Sequence, residues 1–560
     1  MHHKKLYRSL ITLPLLCFTA VLSSGCQDTS ETSVVPPATN ADTTAKVALE
    51  KSVSTEHPVA TTQYGPVRGF VEDNVVVFKG IRYGADTAAN RFAAPAAPAP
   101  WKEIKDALAY GNSAPQARRS STISLFDTWV TTPAPELSED CLFLNVWTPA
   151  IADEGKRPVL VWFHGGGFSS GSGSSNAYDG VRLVNRGDVV VVTVNHRLNV
   201  YGYLHLGEYG DQFADSGNAG MLDLVASLEW VRDNITEFGG DPDNVLIFGE
   251  SGGGFKVSTL MAMDAASGLF HRAVIQSGPA LELTTVEQAA TGTAALVAEL
   301  GLEETTIDQI RTLPSEQIEA AWLAVANSGG PRVAAGPVVD GRHIMRHPFT
   351  PDAPQQSADI PLLIGSTATE MSLLAGARDP ALFELTWESL PTALETAIEG
   401  VDAKRVIDGY RALHPEIDPP NLFFEATTDN SIFGRGSFEL ADRKAEQGGA
   451  AVYQYYLAWK TPVDGGKWGA PHALDIGFVF DNVAKSESMS GIGEEQQAIA
   501  DMMSQAWIAF ARGGDPNHNG LPTWQPYDVE NRATMVFDTV PSMIDDPRRQ
   551  EINLIGTGGL

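Results

Sequence analysis

The feature that most constrains this chain is a short apolar run ending in a serine set among glycines. Val245-Leu-Ile-Phe248 is apolar at consecutive positions and leads into Gly249-Glu-Ser251-Gly-Gly253. Phe255 to Met263 continues with no proline and no further glycine, as a helix requires. A strand, a sharp turn and a helix in that order leave the backbone little choice, because any larger residue beside the serine would collide as the two elements close together. Such a turn lifts a hydroxyl above the end of a sheet, and Ser251 becomes a candidate nucleophile. The same pattern recurs at Gly167-Phe-Ser169-Ser-Gly171, and with 53 glycines in 560 residues the pattern alone is weak. Context separates the two: Ser170 is followed by Gly-Ser-Gly-Ser-Ser-Asn, which does not begin a stable helix.

Around this point strand-like runs alternate with helical patterns. Val75 to Phe78, Leu142 to Trp147, Val159 to Phe163, Val189 to Val194, Val274 to Ile275, Leu362 to Ile364 and Val452 to Tyr456 read as strands. Several are apolar throughout, as strands covered on both faces are. Gly220 to Asn234 reads as a helix, with Leu222, Val225, Leu228 and Val231 recurring at one-turn spacing. A second amphipathic helix carries Ile499, Met502, Met503, Ala506 and Phe510 and stops at Gly513-Gly514. The alternation predicts an α/β fold with a mainly parallel central sheet flanked by helices. The stretches 285 to 330 and 370 to 445 read as helical insertions forming a cap. The net charge of −30 argues against nucleic acid or an anionic membrane surface as the main partner.

The glycine-rich loop that holds Ser169 has another use. His164-Gly165-Gly166-Gly167 directly follows the run Val159 to Phe163. Acyl transfer needs backbone N–H donors aimed at a developing oxyanion, and glycine lets the backbone approach the substrate. Gly166, Gly167 and the amide of Gly252 are assigned to that oxyanion hole.

Several longer segments then point the same way: Glu139-Asp-Cys-Leu-Phe-Leu-Asn-Val-Trp-Thr-Pro149, Trp162-Phe-His-Gly-Gly-Gly-Phe168, Phe238-Gly-Gly-Asp-Pro-Asp-Asn244, Phe248-Gly-Glu-Ser-Gly-Gly-Gly254, Gln276-Ser-Gly278, Gly469-Ala-Pro-His-Ala-Leu-Asp475 and Trp507-Ile-Ala-Phe-Ala-Arg512. Together they span about residues 60 to 540, and in these segments the chain resembles the type-B carboxylesterases, a family that includes cholinesterases and bacterial p-nitrobenzyl esterases. The resemblance implies the α/β-hydrolase fold and a serine carboxylesterase. It departs from the pattern twice. Gly252 stands where the family usually has alanine, and Ala114, in Asn112-Ser-Ala-Pro-Gln116, stands where the family often has a cysteine paired to the position of Cys141.

α/β-Hydrolases order their triad as serine, acid, histidine. Beyond Ser251 lie His271, His343, His347, His414, His472 and His518. His472 follows the late strand Val452 to Tyr456, where this fold carries its base, and the family motif agrees. The acid belongs just beyond a strand between nucleophile and base. Pro361-Leu-Leu-Ile-Gly365 is such a strand and Glu370 is the first carboxylate after it, with Asp464 as the alternative. Glu250 reads as a brace for the turn rather than a participant.

The N-terminus reads as an export signal over residues 1–25. Lys4, Lys5 and Arg8 precede the uncharged apolar stretch Leu10 to Leu22, which is short for a membrane span. Leu22-Ser-Ser-Gly-Cys26 resembles a bacterial lipobox, with Ser23 in a position usually aliphatic, so Cys26 is the expected lipid anchor and a plain secretory signal the alternative. Residues 26–58, rich in Ser, Thr, Pro and Ala, suit a tether, and 59–560 form the catalytic domain. The expected location is the cell envelope or, failing an anchor, the medium. Of three cysteines only Cys141 lies beyond these segments, so no internal disulfide is expected there.

These readings predict ester hydrolysis through Ser251, His472 and Glu370 with an acyl-enzyme intermediate, a small-molecule ester as partner, and no metal or cofactor. A non-catalytic adhesion protein or an enzyme for amides, lactones or thioesters are the competing classes.

Overall fold

The computed structural model describes residues 57–117 and 123–556; the expected signal, Cys26 and most of the tether lie outside them. Alternation along the central strands builds two cores. Val159, Val161 and Phe163 pack with Val245 and Ile247 on one face, and Leu160, Trp162, Leu246 and Phe248 pack on the other. Burying each such side chain contributes about 1.5–3 kcal/mol, so a strand covered on both sides is held from both.

The strands are β1 (Phe70–Glu72), β2 (Val75–Arg82), β3 (Phe143–Thr148), β4 (Arg157–Phe163), β5 (Val190–Val194), β6 (Gly240–Glu250), β7 (Arg272–Gln276), β8 (Leu362–Thr367), β9 (Val452–Leu457), β10 (Ala533–Phe537) and β11 (Ser542–Asp545). They form an 11-stranded sheet in the order β11-β10-β9-β8-β7-β6-β4-β5-β3-β2-β1. From β10 to β5 every neighbour is parallel, and antiparallel strands close both edges. Every strand run read from the sequence lies in this sheet. The antiparallel β10–β11 edge, where β11 is short and half exposed, was not read from it.

Helices cover both faces. α1 (Ala219–Asn234) is the helix expected at 220 to 234, and α2 (Gly252–Leu260) follows β6 directly. α3 (Val286–Glu299) and α4 (Ser315–Asn327) occupy the first expected insertion and share an apolar cluster with Phe92 and Tyr201. The second insertion holds α5 (Leu390–Ala397), α6 (Ala403–Leu413) and α7 (Pro419–Asp429), built around Leu394, Val406, Tyr410 and Leu422.

The boundary of that insertion needs correction. α8 (Arg435–Glu446) places Phe438, Leu440 and Ala441 in the sheet's own core with Val452, so it flanks the sheet and is no part of a cap. α9 (Glu494–Gly513) lays Ile499, Met503, Ala506 and Phe510 on the opposite face, and Gly514 ends it in the left-handed conformation at φ 74°. Cys141 is a free, fully buried thiol, and burial pushes its pKa up.

Candidate active site

The site stands where β6, β7, β8 and β9 end, at the carboxyl edge of the parallel sheet, where loops converge and ligands bind in open α/β sheets. Ser251 occupies the turn between β6 and α2 with φ 57° and ψ −122°. For a residue with a Cβ that conformation costs about 1–3 kcal/mol, so the surrounding structure must hold it. Its N–H donates to the Gln276 carbonyl at the end of β7 (2.8 Å), and its own carbonyl accepts from Phe255 N–H (3.0 Å). A Cβ at Gly253 would lie 2.0 Å from the Phe163 carbonyl oxygen, so the glycine is what allows helix and strand to close here. Ser169 has no such setting: turn and bend follow it, and no helix starts until the 3₁₀ segment Asn176–Tyr178.

The next strand ends supply the candidate acid and its supports. Glu370 follows β8 and is fully buried. Its Oε1 accepts from the Ser277 hydroxyl (2.6 Å) and from Thr367 N–H (2.8 Å). Its Oε2 accepts from Nδ1 of His472. The loops bearing the two residues are tied together, since Thr369 N–H donates to the Ala470 carbonyl (2.9 Å) and the Thr369 hydroxyl to that of Trp468 (2.9 Å). Asp464 is elsewhere, accepting from the Trp468 indole N–H at 2.8 Å.

The other histidines beyond Ser251 are engaged away from the site. His343 meets Asp215 and His414 meets Glu551, while ring nitrogens of His271 and His347 accept backbone N–H groups of Val245 and Leu283. His518 donates to the Met502 carbonyl.

The structure thus joins His472 to Glu370, whereas among the described residues the Ser251 hydroxyl is not hydrogen-bonded to the imidazole. Nε2 of His472 instead faces Oε1 of Glu250 at 3.1 Å. Glu250 is therefore more than the brace read from the sequence. Burial disfavours the charged imidazole, but Glu250 and then Glu370 outweigh it and raise the pKa of His472 to about 9. Phe433, between α7 and α8, packs its ring against the imidazole with centroids 5.0 Å apart.

The glycine loop lies against the turn. Gly165 approaches so closely that a Cβ there would stand 3.0 Å from Glu250 Oε2 and 3.4 Å from Ser251 Cβ. Gly166 and Gly167 have φ of 83° and 64°, left-handed values that glycine adopts freely. The Gly166 carbonyl accepts from Ser170 N–H (3.2 Å) and the Gly165 carbonyl from Nδ1 of His164 (2.9 Å). Across a trans peptide the following N–H points the opposite way, so the amides of Gly166 and Gly167 face away from these ties.

Comparison with known proteins decides the family: the profile of the Carboxylesterase family matches residues 56–555. The chain belongs to the carboxylesterase family. It is 36% identical over 505 residues to the para-nitrobenzyl esterase of Bacillus subtilis (strain 168), covering 88% of this chain and 98% of that one. Among solved structures it resembles a carboxylesterase of Geobacillus stearothermophilus, with TM-score 0.75 and 38% identity over 89% of this chain and 99% of that one. It also resembles an esterase of Clostridium hathewayi described as hydrolysing aliphatic aromatic polyesters, with TM-score 0.76 and 35% identity over 91% of this chain and 100% of that one. The fold is that of the α/β-hydrolase carboxylesterases, and the protein is a hydrolase of carboxylic esters.

Sequence reasoning missed Ser277, Phe433 and the orientation of Glu250. Gln276-Ser-Gly278 stood out as a motif without a role. Nothing in the sequence around Phe433 marked it.

Proposed function

We propose that this carboxylesterase acts through Ser251 as nucleophile, His472 as general base and Glu370 as the acid that orients it, with the amides of Gly166, Gly167 and Gly252 as the oxyanion hole. The observation that carries the reading is the hydrogen bond from His472 Nδ1 to Glu370 beside the strained turn of Ser251. With Nδ1–H given to Glu370, a neutral ring has its lone pair on Nε2. That nitrogen takes the proton from Ser251 as Oγ bonds to the ester carbonyl carbon, and the carbonyl electrons move to oxygen. The tetrahedral intermediate collapses, the alcohol leaves with the proton from Nε2, and water repeats the steps on the acyl-enzyme.

The rest of the organisation belongs to the same proposal. Residues 1–25 act as an export signal, Cys26 as a lipid anchor and 26–58 as a tether. Residues 59–560 form one catalytic domain held at the cell envelope. The charge of −30 fits attachment through a lipid chain better than through an anionic membrane surface.

Purified protein assayed on short p-nitrophenyl esters and on matching anilides tests the bond class. Rapid ester turnover with anilide cleavage at least about 10²-fold slower is expected; comparable rates would move the reading to an amidase.

A further inference from the structure

Lys256 stands on α2, just over one turn beyond Ser251, and its side chain is fully buried. A buried amine is costly unless its N–H groups find acceptors. Here Nζ donates to the backbone carbonyls of His164 (2.8 Å) and Gly167 (3.0 Å), and lies 5.4 Å from the centre of the Phe168 ring. Burial lowers its pKa to about 7, with Glu250 pulling the other way. Charged or neutral, the amine keeps two N–H groups for those two carbonyls.

The two carbonyls bracket the peptides that present the Gly166 and Gly167 amides. The ties to the Gly165 and Gly166 carbonyls come from His164 and Ser170, within the loop itself. Lys256 comes instead from the helix that begins at the nucleophile, so it sets the loop's position relative to Ser251. The fit at the start of that helix is equally close. A Cβ on Gly252 would lie 2.1 Å from the Gly167 carbonyl oxygen and 2.5 Å from Gly167 Cα, both backbone atoms.

We propose that Lys256 is a positioning residue for ester hydrolysis: it clamps the loop His164 to Phe168 onto the helix of the nucleophile, and Gly252 leaves the room for that approach. The clamp rests on the reading of Ser251 and its oxyanion donors. Oxyanion donors act only where negative charge develops, so a displaced loop weakens the transition state and leaves binding of a planar ligand intact.

The test uses the full chain carrying Lys256→Met, which keeps length but removes the donors. Turnover of p-nitrophenyl butyrate is measured with inhibition by a trifluoromethyl ketone and by the uncharged butyramide. The ketone adds Ser251 Oγ to its carbonyl carbon, places the electron pair on oxygen and sends the proton to His472; butyramide is planar, neutral and forms no such adduct. Lys256→Met is expected to lose about 10²-fold in kcat with KM within about 3-fold. Its affinity for the ketone should fall by the same factor as kcat/KM, with butyramide unchanged. Gly252→Ala should show the same split with the lysine intact, and carries the test if Lys256→Met does not fold. In either variant, a folded enzyme with wild-type kcat/KM, or equal weakening of ketone and butyramide, overturns the clamp. Ser251→Ala run alongside separates the two ideas: activity persisting there overturns the nucleophile assignment and the clamp with it, whereas an inactive Ser251→Ala beside an unimpaired Lys256→Met overturns the clamp alone.

Discussion

Nε2 of His472 lies 3.1 Å from Oε1 of Glu250, while Nδ1 of the same ring is hydrogen-bonded to Glu370. One imidazole thus stands between two buried carboxylates, and each favours its charged form. That arrangement suits the imidazolium that the proposed attack by Ser251 would form. It also makes the neutral base harder to obtain, and the balance shows in the pH profile.

A base must be neutral to accept a proton, and the folded enzyme holds the His472 pKa at about 9 against an ordinary 6.5. Activity therefore grows as pH rises toward about 9, and kcat/KM falls as pH drops below it. Glu250→Gln removes one of the charges that raise the His472 pKa, so the acid limb of kcat/KM should move down toward 6.5. A limb that stays in place would mean Glu250 does not set the charge of the ring.

Glu370→Gln should lower kcat by orders of magnitude with little change in KM, because the carboxylate orients His472 and favours the imidazolium. Asp464→Asn should cost far less, since that side chain is bonded to Trp468 and lies away from the ring. Steady-state kinetics on both variants under one assay decide between them. A crippled Asp464→Asn beside a near-normal Glu370→Gln would transfer the role of acid to Asp464.

The settings of Ser251 and Glu370 were legible in the sequence, because each follows the end of an apolar strand within a few residues; His472 lies well beyond the end of β9 at Leu457, and the family motif was needed to single it out. The partners of these residues were not legible. Ser277 reaches Glu370 across 93 positions and Lys256 reaches the His164 carbonyl across 92, and no local periodicity encodes such meetings. α8 was misassigned for a related reason. An amphipathic helix looks the same whether its apolar stripe meets a sheet or other helices, and only Phe438 and Leu440 sharing a core with Val452 tells which.

The anchor at Cys26 is tested by fractionation of the producing cells. Wild-type protein should partition with membranes and carry a mass consistent with acylation at Cys26, and Cys26→Ala should be released or left unprocessed. Wild-type protein found wholly soluble, with an unmodified N-terminus at another residue, would reject the anchor.

The most direct test of the account is the site of covalent labelling by a fluorophosphonate. Ser251 Oγ should bond to phosphorus as fluoride leaves, adding one phosphonyl group to the protein mass and abolishing esterase activity in step with labelling. Fragment masses should place the group on Ser251, and Ser251→Ala should take up none while losing about 10⁴-fold or more in activity. Labelling at Ser169 or another residue, or full esterase activity in Ser251→Ala, would contradict it.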